Sequence, residues 1–274
     1  MKRFVQLAAS GVGLSADSSR EGRSAVIELP RFNQIPAGMR KGRNIRAGHA
    51  RGWGLQFWDL KKQIAADPLY REASALAAGR TVQIEENRMN IFLLLKFFLG
   101  KLPMGHIVEY GSFKVGSAIF MAKVCSVLHP GMQVYAFDTF AGMPTTDSEI
   151  DAHNAGDFSD VDFAELQEYI AKIGLTNLKL VRGLFEDTAP GTLPEVGSIR
   201  LAHIDCDIKS AVAYSYDASR PYMVEDGYIV LDDALFSSCL GATEVVEDLM
   251  VRRDGLNSEQ IYPHFVFRAH QRAG

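Results

Sequence analysis

Cysteine is scarce in this chain: three in 274 residues, Cys125, Cys206 and Cys239, an odd number with no close pair. That spacing excludes a disulfide framework and a zinc site built from cysteines, and it fits a reducing compartment. Long apolar runs are missing too. The longest, Asn90 to Leu99, is half a bilayer span and is interrupted by Lys96, so it reads as a buried helix. The N-terminus, MKRFVQLAASGVG, begins basic, but its apolar run is too short and broken for a secretory signal. These absences point to a cytoplasmic protein without a transmembrane segment. Glycine has no regular period, and 47% hydrophobic residues exclude a disordered chain. What is present suits one elaborated domain, or one domain with an extension.

The net charge of −4 hides an asymmetry. Residues 1–60 hold ten Lys or Arg against four Asp or Glu, a local +6, which leaves −10 for the remainder. The excess lies in Arg20, Arg23, Arg31, Arg40, Lys41, Arg43, Arg46 and Arg51, among Ser, Gly and Pro. Residues 1–50 therefore read as a basic arm, either solvated or available to an acidic substrate, a membrane surface or a partner subunit. Only Phe4 and Phe32 stand among its charges, too few for the aromatic interleaving of a nucleic-acid surface, which argues against nucleic acid as a partner. Helical periodicity follows over 51–103. Leu55, Trp58, Leu60 and Ile64 lie on or near one face, Leu69, Ala73 and Leu76 continue after Pro68, and a second helix runs from Glu86 to Leu99 until Gly100 and Pro103 stop it.

From residue 104 to 274 the pattern alternates. Short apolar runs at 107–108, 134–137, 178–181, 199–204 and 228–231 are separated by helix-length segments near 117–128, 162–173, 209–222 and 240–252. Such alternation predicts parallel strands joined by right-handed crossovers, a doubly wound α/β sheet. Gln260-Ile-Tyr-Pro263 and Phe265-Val-Phe-Arg268 are too close for a crossover helix and predict an antiparallel hairpin at the sheet edge.

In such sheets ligands sit beyond the carboxyl ends of the strands. The first strand ends in Glu109-Tyr-Gly111-Ser-Phe-Lys-Val-Gly116-Ser117. Phe113 breaks the dinucleotide pattern G-x-G-x-x-G, and the missing lysine excludes a phosphate-binding G-K-[ST] loop. A turn that is bulky and acidic suits the ammonium and carboxylate of an amino-acid-bearing nucleoside, with Glu109 facing the positive charge and backbone N–H groups the carboxylate. The second strand ends at Asp138, 22 residues after Gly116, where an acidic side chain can accept from both ribose hydroxyls. Together these features favour an S-adenosylmethionine site.

Two further strand ends carry carboxylates. His203-Ile-Asp205-Cys-Asp207 closes one apolar run, and Leu231-Asp232-Asp233 closes another, Asp232 lying 27 residues after Asp205. Neighbouring strands lie about 4.8 Å apart, so Asp205, Asp232 and Asp233 can converge. Carboxylates so crowded repel unless a cation neutralises them, and oxygen-only ligands select magnesium, calcium or manganese. The competing expectation is helix capping, in which Asp207 caps the helix near Lys209. His203, inside a strand, reads as a satisfied core histidine.

The segments IVEYGSFKVGSAIFMA, YAFDTFAGMP, GLFEDTAP, LAHIDCDIKSAV and GYIVLDDALFSSCLGATEVVEDL, spread over about residues 104 to 250, resemble a known group. It is the magnesium-dependent sugar O-methyltransferases of the macrocin, mycinamicin and novobiocin type, within the class I S-adenosylmethionine-dependent methyltransferases. The resemblance implies a Rossmann-like, mostly parallel seven-stranded sheet with an antiparallel last strand, to which the helical region 51–103 is an N-terminal extension. It implies that Asp205, Asp232 and Asp233 match metal ligands and that Asp207 is the general base, with Asp205 beside it. Cofactor contacts are implied for Glu109, Gly111, Ser112, Ser117, Asp138, Thr139, Phe140, Gly183 and Phe185, with residues 81–87 reaching over the cofactor. Val115 replaces a common glycine, and Lys209 stands where a tyrosine is frequent.

The expected chemistry is methyl transfer to a hydroxyl of a vicinal diol on a sugar or glycosylated metabolite, assisted by a hard divalent cation. Alternatives at this point are a hydroxylase-type or altered activity on the related cephalosporin-hydroxylase-like scaffold, and a non-catalytic binding module. The loop from Thr145 to Asp160, with five acidic residues, reads either as a lid carrying Phe158 or as a plain solvated loop. Family members of this kind are often homo-oligomers.

Overall fold

The computed structural model describes residues 26–35 and 38–270. Within them a small antiparallel ribbon, β1 (Met39–Arg40) and β2 (Arg43–Asn44), leads into α1 (Ile45–Phe57), where the Asn44 side chain accepts from the Ala47 N–H. Helices α2 (Leu60–Ala66), α3 (Pro68–Ala77) and α4 (Glu85–Leu93) follow, and α4 runs on as a π turn to Phe98. Asp67 starts α3 by accepting from the Leu69 and Tyr70 N–H groups, with Pro68 in the first turn, where no N–H is needed.

The alternating region folds as strands and crossover helices. In chain order these are β3 (His106–Tyr110), α5 (Gly116–Leu128), β4 (Val134–Asp138), α6 (Phe163–Ile173), β5 (Leu178–Arg182), α7 (Phe185–Val196) and β6 (Ile199–Ile204). They continue with α8 (Lys209–Ser219), β7 (Met223–Leu231), α9 (Leu240–Val245) and β8 (Phe265–Arg268). The sheet order is β5-β4-β3-β6-β7-β8, parallel throughout except that β8 runs antiparallel to β7. Six strands form this sheet, one fewer than the family resemblance implies. The expected edge hairpin shrinks to a single bridge between Gln260 and Val266, and β8 pairs with β7 instead. Pro263 offers no N–H to extend the ladder, and the Glu259 and Gln260 side chains are drawn inward onto Arg51. Helix α7 escaped the sequence reading because Pro190 and Pro194 lie inside it.

Apolar residues pack on both faces. Ile107, Val134, Ala136, Leu201 and Val230 meet α3, α4 and α5, whereas Val108, Tyr110, Phe137, Ala202, Ile204 and Leu231 meet α7, α8 and α9. Part of the basic arm is built into this body. Arg46 donates to the Ile35 carbonyl, and Arg51 is wholly buried, 2.7 Å from Glu259 and 2.8 Å from Gln260. Arg51 is therefore a core ion pair instead of a solvated charge. Gly48 lets α1 lie close above it, since a Cβ there would fall 1.8 Å from the Glu259 carbonyl oxygen. Arg20 and Arg23 lie outside the described residues. No helix among the described residues is long and apolar enough to cross a membrane.

Candidate active site

Strand order reverses between β3 and β6, and a cavity opens beyond the carboxyl ends of these strands, as sheets of this kind dictate. Gly111, Ser112, Phe113 and Ser117 line it from the β3–α5 turn, Asp138 and Thr139 from the end of β4, and Phe185 from the start of α7. Asp205, Cys206 and Ile208 close it below, and residues 80–82 and Phe158 close it above. Six expected cofactor residues thus meet in one cavity: Gly111, Ser112, Ser117, Asp138, Thr139 and Phe185. Glu109, Phe140 and Gly183 are not among its walls.

Two glycines shape the turn. Gly111 has φ +85°, and a Cβ on it would lie 1.8 Å from the Asp205 carbonyl oxygen. Gly116 donates to the Arg80 carbonyl at 3.0 Å, and a Cβ there would meet that carbonyl at 2.6 Å. Asp138 braces the turn as well as lining the cavity: Oδ2 accepts from the Phe113 N–H at 2.8 Å and Oδ1 from the Phe140 N–H at 2.6 Å. Burial pushes its carboxyl up, against the pull of those two N–H groups. Phe140 points away, its ring against Phe163. Left-handed backbone at non-glycine residues gathers on the surrounding loops, at Phe113, Val115, Phe140, Phe158 and Asp207. Strain of this kind persists where neighbours over-determine the chain, most often at functional sites.

Below the cavity runs a buried polar chain that the sequence reading did not foresee. Glu109 and His203 are cross-strand partners in β3 and β6, so their side chains share a face. His203 Nδ1 donates to Glu109 Oε1 at 2.9 Å, and Nε2 donates to Asp232 Oδ1 at 3.1 Å. Full burial disfavours charge on this ring, but its bonds to Asp232 and Glu109 prevail and hold its pKa up at about 10. The imidazolium thus turns Glu109 away from the cavity, where the sequence reading had placed it. Asp232 also accepts from Gln83 Nε2 and Asn87 Nδ2, both at 2.8 Å, and from His264 Nδ1 at 3.3 Å. Despite burial, the bonds from His203 and His264 hold its carboxyl well below the usual range.

The remaining links fix a tautomer. Arg51 donates to Gln260 Oε1, Gln260 donates to Asn90 Oδ1 at 2.9 Å, and so the Asn90 amide nitrogen faces His264 Nε2 at 2.8 Å. Nε2 must accept, which leaves the proton on Nδ1 for Asp232. The order His203-x-Asp205…His264 is one an iron-binding facial triad can use, yet both imidazoles have both nitrogens engaged. Gln83, Asn87 and Asn90 carried a weak signal, amides at helical spacing ahead of an apolar run. His264 carried none.

Of the other carboxyls at the ends of β6 and β7, only Asp205 is among the cavity's walls. Burial, followed by the charges of Asp232, Asp233 and Asp207, pushes its carboxyl well above the ordinary range. Asp233 is raised in the same way, by burial and then by Asp207 and Asp232. Its Oδ2 accepts the Asp207 N–H at 3.0 Å, which steadies Asp207 at φ +58°. The capping expectation for Asp207 does not hold. The Lys209 N–H at the start of α8 goes to Asp151 Oδ1 at 2.9 Å, and the Lys209 ammonium pairs with Glu244. Burial raises Asp207, while His153 and the Cys239 thiol pull it back. Cys239 itself is pushed up to about 12 by burial. Asp151, His153 and Phe158 all belong to the 145–160 loop, and the Phe158 ring rests edge-on against Phe113, 5.2 Å between centroids.

A cavity of this make-up at the switch point of a mostly parallel sheet defines a class I methyltransferase-like protein. Solved structures agree on the fold. The chain superposes on the O-methyltransferase NovP with TM-score 0.58 at 18% identity, covering 67% of this chain and 79% of that one. It superposes on CalS11, a calicheamicin methyltransferase, with TM-score 0.54 at 20% identity, covering 74% and 93%. It matches no curated protein sequence. The family model for macrocin O-methyltransferase (TylF) matches residues 96–254, more than half of the chain. The chain belongs to this family of S-adenosylmethionine-dependent O-methyltransferases.

Proposed function

We propose that this enzyme methylates a hydroxyl group of a sugar or glycosylated metabolite, with Asp207 as general base beside a hard divalent cation such as magnesium. The observation that carries this reading is the crowding of Asp205, Asp207, Asp232 and Asp233 at the ends of β6 and β7. Buried like charges raise one another, and an ion among them relieves the repulsion. The donor chemistry fits: all are oxygens, and Asp205 and Asp233 have capacity left. Asp232 fits less fully, because Oδ1 already accepts three hydrogen bonds and only Oδ2 has a position left. Asp205 and Asp232, whose donor atoms lie within 4.8 Å of one another, would form the core of the site, with Asp233, outside that group, completing it. When bound, such an ion lowers the pKa of a hydroxyl and orients adjacent oxygens.

S-adenosylmethionine, when bound, supplies a methyl group made electrophilic by its sulfonium. The chain's own tasks follow from the geometry. Asp138 accepts from the ribose, and the N–H groups of the β3–α5 turn receive the carboxylate. Asp207 takes the proton of the acceptor hydroxyl as its oxygen bonds to the methyl carbon, and its raised pKa brings it nearer to neutral pH, where a base works best. The 145–160 loop excludes water through Phe158. Residues 104–274 form the catalytic domain in this reading, and the helical region 51–103 supplies Gln83, Asn87 and Asn90 to steady Asp232. The free cysteines fit a reducing cytoplasmic setting, with a small molecule or glycan as acceptor rather than nucleic acid.

Replacing Asp138 with Ala removes both the turn brace and the ribose acceptor. Two hydrogen bonds correspond to about 1–3 kcal/mol, so S-adenosylmethionine binding should weaken by about tenfold to a hundredfold by calorimetry. Affinity equal to the parent's would move the ribose elsewhere. The substrate class is tested by mass spectrometry of glycans and small metabolites from cells with and without the gene. A glycoside lacking one methylene in the deleted strain is expected. A missing methyl group on a non-glycosylated compound alone would contradict the sugar assignment.

A further inference from the structure

Three segments far apart in sequence place His153, Asp207 and Cys239 within reach of one another: the 145–160 loop, the turn after β6 and the residue before α9. Cys239 Sγ lies 3.3 Å from Asp207 Oδ1, His153 Nε2 lies 3.6 Å from the same oxygen, and Sγ and Nε2 are 4.0 Å apart. Zinc binds sulfur at about 2.3 Å and nitrogen or oxygen at about 2.0–2.2 Å, so tetrahedral geometry sets its donors about 3.4–3.6 Å apart. The three atoms therefore need to shift by only about half an ångström to surround such an ion. The cysteine spacing excludes a zinc site made of cysteines alone, but zinc takes thiolate sulfur, imidazole nitrogen and carboxylate oxygen alike, and one of each makes a three-ligand set.

Two further features suit this chemistry. Histidines that bind metal usually present their other ring nitrogen to a carboxylate, and His153 Nδ1 is 3.6 Å from Asp157 Oδ2, itself held by the Asn154 N–H at 2.8 Å. The site is also shielded: the His153 and Asp207 side chains are 22% and 20% exposed, and Cys239 is buried. The ammonium of Lys209, two residues after Asp207, is already paired with Glu244. Mixed nitrogen, oxygen and sulfur donors prefer a borderline ion to magnesium, whereas the carboxyls of Asp205 and Asp233 have the opposite preference.

We propose that His153, Asp207 and Cys239 form a second metal site, selective for zinc and similar borderline divalent ions, that inhibits the enzyme. Binding releases the thiol proton to solvent, fastens the 145–160 loop to the turn after β6, and removes the Asp207 carboxylate from the acceptor hydroxyl. The inhibition rests on the role given to Asp207 above; the site itself does not.

Cobalt(II) is the probe, because its bound thiolate is visible. Titrating the full chain with cobalt chloride should produce ligand-field bands of a four-coordinate ion and a thiolate-to-cobalt charge-transfer band, both erased by added zinc. Cys239→Ser should lose the charge-transfer band, while Cys125→Ser and Cys206→Ser should keep it. His153→Ala should abolish tight binding, and Asp157→Asn should weaken it by about 10- to 100-fold. No charge-transfer band in the parent, or a band that survives Cys239→Ser, would overturn the site whatever the enzyme's turnover. A genuine site without zinc inhibition of methyl transfer would overturn only the inhibitory role.

Discussion

Asp207→Asn is expected to lower kcat by about 10²- to 10⁴-fold while S-adenosylmethionine affinity stays within a few-fold. The amide keeps the size of the side chain and still accepts from the Cys239 thiol, which lies 3.3 Å away, but it cannot take a proton at neutral pH. Asp207 lies outside the cavity wall formed by its neighbours Asp205, Cys206 and Ile208, so cofactor contacts are spared. The sign of the pH dependence follows. A base must be deprotonated to act, and burial raises the Asp207 carboxyl. The acid limb of the kcat profile should therefore lie above the pH at which an ordinary aspartate titrates, and it should vanish with the variant. A residual rate near the parent's would mean that another group accepts the proton.

The second large effect concerns stability. His203→Leu leaves Glu109 without its one side-chain donor among the described residues and removes one of four from Asp232, with both carboxyls buried. Breaking a buried ion pair from one side costs about 3–5 kcal/mol. The folded-state pKa of His203 is raised to about 10 from its ordinary value of 6.5. Its stabilisation is therefore fully present below about pH 6.5 and is lost as the pH rises through about 10. Urea unfolding of the two proteins should differ most near pH 6 and converge towards pH 10. A gap that does not change with pH would show that His203 is neutral in the folded protein.

The sequence disclosed features that depend on a strand's end and on spacing along one segment. Gly111, Ser112, Ser117 and Asp138 reach the cavity because the first two follow β3 directly, Ser117 lies in the first turn of the helix after it, and Asp138 ends β4, strands whose register the apolar pattern defines. Asp205 and Asp232 meet for the same reason, since Ile204 and Leu231 are register partners. What the sequence concealed is side-chain direction decided by a partner from elsewhere. Glu109 turns inward because a charged His203 faces it from the next strand. Arg51, amid a basic run, is buried because Glu259 waits 208 residues later. The amides of 83–90 and His264 converge on Asp232 only through tertiary packing, and nothing local marks His153 and Cys239 as neighbours of Asp207.

Metal assistance is best examined through Asp205, because Asp232→Ala would strand a buried imidazolium and confuse loss of metal with loss of fold. Purified enzyme should bind S-adenosylmethionine in calorimetry with or without magnesium, yet methylate its acceptor only when the ion is present. Asp205→Ala should retain cofactor binding and the parent's melting temperature while losing both magnesium-dependent heat and turnover. Full activity in excess chelator, or in that variant, would contradict a cation held by carboxylates at the ends of β6 and β7.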